Sequence, residues 1–111
     1  MQRGSTKHKI IELIMKKDTV LNRLSQIRKS LEDFGVTSIG LFGSTVRGEN
    51  TKDSDIDIII DFADGKETYR NFLSVCETLQ SIFKRNKLDV VTRKGLSPYF
   101  GETILNETQY V

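Results

Sequence analysis

The chain has 111 residues, enough for one domain with a core of its own and too few for two. Its 37% hydrophobic and 29% charged residues are ordinary for a globular protein; with neither a membrane-length apolar run nor a leader-like start, we expect no membrane span and a cytoplasmic location. The single cysteine, Cys76, excludes an intrachain disulfide, the single histidine, His8, argues against histidine-based catalysis, and a net charge of +2 gives no reason to expect direct nucleic-acid binding.

In chain order, Ile10, Ile11, Leu13 and Ile14 predict a short helix over residues 7 to 17. Asp18 can cap a second helix, in which Val20, Leu24, Ile27, Leu31 and Phe34 recur at steps of three and four and so form a core face. Gly35 is a natural stop, and residues 36 to 42 read as a strand that turns at Gly43-Ser44. Residues 55 to 62 form the next strand, followed by a helix marked by Tyr69, Phe72, Leu73, Cys76, Leu79 and Phe83. A further strand spans residues 88 to 92, and Ser97-Pro98 has the pattern of an N-cap with proline at the first position of a closing helix. The expected fold is α/β (α+β): a small mixed β-sheet covered by helices, in one domain over 1–111. Its parts are N-terminal helices (1–34), a sheet with its crossover helix (36–92) and a C-terminal helix (97–111).

The chemistry concentrates in "GLFGSTVRGENTKDSDIDIII", residues 40 to 60. Alternation along a strand puts Ile56, Ile58, Ile60 and Phe62 on one face, and Asp55, Asp57, Ile59 and Asp61 on the other. Acids on an edge strand can serve solubility alone, but these two open the strand directly after a Gly-Ser turn. Adjacent carboxylates repel unless a cation lies between them, and magnesium is held by one or two carboxylates together with substrate phosphates. Gly43 lets the backbone approach a bulky anion, and Ser44 can cap a short helix whose free N–H groups favour phosphate. Asp89, in "KLDVVT", can face Asp55 and Asp57 if the two strands are neighbours, and a third carboxylate permits two ions to be clamped.

Gly-Ser, ten residues, Asp-x-Asp and then a separate strand aspartate resembles the nucleotidyltransferase superfamily of DNA polymerase beta. The similarity is to its minimal members, antitoxins paired with HEPN-domain toxins, and it extends to "ETILNETQYV", which looks like that family's closing helix. The resemblance implies that Gly43 and Ser44 bind a nucleoside triphosphate, that Asp55 and Asp57 hold two magnesium ions, and that Asp89 completes the site as ligand and base. Arg47 matches an arginine common after the Gly-Ser turn and would contact phosphate. It further implies transfer of AMP from ATP to a tyrosine on a cognate HEPN RNase toxin. Two other readings stay open: a non-catalytic antitoxin that covers its partner, and nucleotidyl transfer to a small molecule. Tyr69, Tyr99 and Tyr110 could serve as partner contacts or self-acceptors, but amphipathic packing is the expected use of each.

Overall fold

The computed structural model describes residues 14–111. The elements are α1 (Lys17–Glu32), β1 (Val36–Phe42), α2 (Ser44–Arg47), β2 (Ile56–Phe62), α3 (Tyr69–Ile82), β3 (Leu88–Thr92), a 3-10 turn (Arg93–Gly95), α4 (Gly101–Glu107) and β4 (Gln109–Tyr110). The sheet order is β3-β2-β1-β4. β1 is antiparallel to both β2 and β4, whereas β2 and β3 are parallel because α3 carries the chain back across the sheet. The sheet is therefore mixed.

Register decides which side chains share a face. Ile58 lies between Leu41 and Val90, and Ile60 between Ile39 and Thr92. Ile39, Leu41, Ile58 and Ile60 meet Val20, Leu24 and Leu31 of α1 and Val75, Leu79 and the adjoining Phe83 of the α3 end in one buried cluster, against which Val90 packs. Both long helices thus cover the face predicted to be core. Burying each such side chain is worth about 1.5–3 kcal/mol. Position 40 lies on the opposite face, opposite Ile59, where a Cβ would collide with the Thr108 methyl and lie 3.1 Å from Tyr110 Cδ1. Glycine therefore lets the closing segment lie flat on β1. Ile59 is itself buried, so the face bearing the acids is not polar along its whole length.

Several sequence expectations need correction. The helix expected over 7–17 lies outside the described residues up to 13; residues 14–16 are not helical, and Lys17 opens α1. Lys16, not Asp18, is the N-cap; Asp18 sits inside the first turn, where its negative charge suits the helix dipole. α1 ends at Glu32, leaving Phe34 to pack against the core from the following turn. Tyr69 and Leu73 of α3 point outward, the first 81% exposed, because the face toward the sheet is filled by Phe72, Val75, Leu79 and Phe83. Thr68 caps α3 by accepting the Asn71 N–H at 3.1 Å.

Ser97-Pro98 does not open the closing helix. The Ser97 carbonyl accepts the Phe100 and Gly101 N–H groups at 3.2 and 2.7 Å, making a separate turn before α4 starts at Gly101. Nor is the chain helical to its last residue. After Glu107 it extends, Gln109 and Tyr110 pair with Leu41 and Gly40, and the Val111 N–H donates to the Ile39 carbonyl at 3.0 Å. Packing is not the use of Tyr99 either, which is 88% exposed; Tyr110 is 51% exposed, with one edge of its ring against Gly40 of β1.

Candidate active site

β1 delivers the chain into the turn at Gly43, where the backbone takes φ +77°, a conformation that side chains with a Cβ resist. A Cβ there would also fall on the Asp57 carboxylate. The glycine thus permits both the bend and the close approach of an acid. Gly43 itself is the N-cap of α2, so Ser44 is the first helical residue rather than the cap expected from sequence. α2 closes at Gly48, whose N–H reaches the Ser44 and Thr45 carbonyls.

Asp57 and Asp89 are register partners in adjacent parallel strands, and Asp55 lies one residue before β2 begins. Asp55 and Asp57 are half-buried; Asp89 is exposed. Burial first, then the charges of Asp89 and Asp55, pushes the Asp57 pKa up to about 6; a hydrogen bond shared with Asp89 adds to the rise, and Arg47 opposes it. This is the electrostatic state of an acid cluster short of positive charge. The donors are hard carboxylate oxygens, the kind magnesium takes. Among the described residues, however, no three acidic, histidine or cysteine side chains converge tightly enough to hold a metal by themselves. Asp55, Asp57 and Asp89 therefore fit a divalent ion as an incomplete ligand set, one that substrate phosphates would have to finish.

The basic side of the site is already engaged. Arg47 Nε donates to Glu49 Oε1 at 2.9 Å, and Arg47 Nη1 donates to Glu107 Oε1 and Oε2 at 2.9 and 3.2 Å. Both contacts hold the guanidinium more firmly protonated. Glu107 Oε2 also accepts the Gly43 N–H at 2.6 Å. Sequence reasoning missed Glu49 and Glu107. Glu49, two residues from Arg47, could have been found from local spacing; nothing in the sequence tied Glu107 to a turn 64 residues away.

Two open clefts carry basic side chains. One follows Lys16, Lys17 and Thr45 to Gly48 along the flank of Arg47. The other brings Lys16, Arg23, Lys84 and Arg85 together, with the Arg23 guanidinium over the Phe83 ring at 5.9 Å.

The chain is 39% identical over 80 residues to the protein adenylyltransferase MntA of Thermococcus cleftensis, covering 72% of this chain and 79% of that protein. Its fold matches a minimal nucleotidyltransferase structure with a TM-score of 0.74 at 27% identity, over 86% of this chain and 95% of the other. A toxin–antitoxin crystal structure with AMP-PNP matches with a TM-score of 0.62 at 25% identity, over 78% of this chain and 69% of that one. Residues 21–111 match the nucleotidyltransferase domain family, taking in the Gly-Ser turn and all three aspartates. By sequence and by fold, the chain belongs to the nucleotidyltransferase domain family.

Proposed function

We propose that this protein is a magnesium-dependent antitoxin that transfers AMP from ATP to a tyrosine of a cognate HEPN-domain toxin. The observation that carries the reading is the pairing of Asp57 with Asp89 directly beside a glycine whose missing Cβ makes room for the Asp57 carboxylate. The relatives named as a protein adenylyltransferase and as a toxin–antitoxin pair with AMP-PNP support the choice of nucleotide and partner. Asp55 and Asp57, with Asp89, would hold magnesium together with the triphosphate. When bound, that ion supplies charge neutralisation at the phosphates. Ser44 and Arg47 would contact the phosphate tail.

In this reading the tyrosine oxygen attacks the α-phosphorus in line, a new P–O bond forms, and the α–β phosphoanhydride bond breaks to release pyrophosphate. The phenolic proton passes to Asp89, whose exposed side chain is open to an incoming hydroxyl. Nothing covalent is asked of the protein; it supplies position and electrostatics.

Incubation with ATP, magnesium and the protein encoded beside it, followed by intact-mass measurement, tests the reading. We expect that partner to gain one or more AMP units, with the gain lost in Asp57→Asn. A partner that is bound and neutralised equally well by Asp57→Asn, with no change in mass, would replace it with the covering-module reading, which the exposed Tyr99 and Phe100 would then serve.

A further inference from the structure

The Glu107 carboxylate reaches back from the end of α4 to the Gly-Ser turn. One oxygen accepts the Gly43 N–H at 2.6 Å, and the same carboxylate takes both Arg47 Nη1 contacts. Gly43 is buried, so its N–H needs a protein acceptor. Arg47 is fixed along two edges, Nε on Glu49 and Nη1 on Glu107, and its Nη2 donors meet no partner among the described residues.

We propose that Glu107 is a positioning residue for nucleotide uptake: it braces the Gly43–Arg47 turn and aims the remaining Arg47 donors at the phosphate tail. The inference rests on the reading of Arg47 as a phosphate contact. A carboxylate in such a place could instead act as a competing anion that the nucleotide must evict. The tether argues for the brace. Glu107 is followed at once by Thr108, whose N–H and hydroxyl both donate to the Ile104 carbonyl at 3.1 and 2.6 Å, and then by β4, paired with β1. Withdrawing its backbone would break that pairing. The Gly43 amide is thereby committed to Glu107, and the glycine's contribution to the nucleotide site becomes room for Asp57.

The experiment uses Glu107→Gln, Glu107→Asp, Arg47→Gln and the double variant Glu107→Gln with Arg47→Gln. Calorimetry with a non-hydrolysable ATP analogue and magnesium measures uptake, the transfer assay gives KM and kcat for ATP, and thermal unfolding reports on the fold. Glu107→Gln should weaken analogue binding and raise KM by about tenfold, with kcat falling less than about threefold, the loss expected when a charge-assisted contact goes. Glu107→Asp should fall between Glu107→Gln and wild type. The double variant should bind about as poorly as Arg47→Gln alone, since the two act as one unit. Tighter analogue binding in Glu107→Gln would overturn the proposal in favour of a competing anion. Unchanged binding with a lowered melting temperature would overturn it in favour of a fold staple. If Glu107→Gln does not fold, Glu107→Asp and Arg47→Gln decide by the same binding readout. A wild-type protein that binds the analogue without transferring AMP defeats the proposed function but leaves this test intact; one that does not bind the analogue defeats both.

Discussion

Burial and the neighbouring carboxylates raise the Asp57 pKa to about 6, so between its ordinary value of 3.8 and pH 6 the folded protein keeps a proton that the unfolded chain has released. Stability from this group is therefore present below its unfolded pKa and lost as pH rises through 6. In metal-free buffer at pH 7.5, Asp57→Asn should melt at a higher temperature than wild type, with the difference shrinking as pH falls toward 4; scanning calorimetry across that range checks the sign. The same variant should lose about 100-fold or more in transfer rate, because the group that would hold the ion is gone. At this scale the sequence was informative where partners lie close along the chain or follow from strand alternation. Asp55, Asp57 and the Gly43-Ser44 turn are of that kind. Asp89 was reachable because one register decision places it beside Asp57. Glu107 was not, since its contact depends on a closing segment folding back onto β1.

Strands β1 and β3 occupy the residues that alternation and turn signals predicted, and β2 starts one residue later, because each is bounded by glycine or a polar loop and filled with β-branched or aromatic side chains. Ile58 is the central example: fully buried, paired with Leu41 on one side and Val90 on the other. Ile58→Ala should cost about 2–5 kcal/mol. Urea unfolding should show it as a lower midpoint with an unchanged slope. The elements that misled are short. β4 has two residues, too few to alternate, and Ser97-Pro98 satisfies its own turn rather than a helix end. The periodicity of α3 located the helix but not its outer boundary, since Tyr69 and Leu73 continue the apolar spacing onto the solvent side.

On the whole molecule, Tyr99 and Phe100 stand next to each other at 88% and 68% exposure, just before α4. Exposed aromatic pairs of this kind suit a protein contact. Replacing both with alanine should leave stability within about 0.5 kcal/mol, since neither supports the core. It should weaken binding to the proposed toxin partner at least tenfold in a titration, about 1.4 kcal/mol or more. Overall architecture was legible because three strands and two long helices account for nearly all of the buried cluster. What joins the chemical residues into one site was less so, because it is carried by single long-range contacts.

The span from Gly43 to Glu107 also sets an order of assembly during synthesis. A ribosome adding about 5–20 residues per second needs roughly 3–13 s to cover those 64 positions, so the bend is synthesised that long before its acceptor. Nascent chains can therefore pair β1 with β2 while the bend at Gly43 still lacks its latch, so the turn leaving β1 is secured after the strands that flank it.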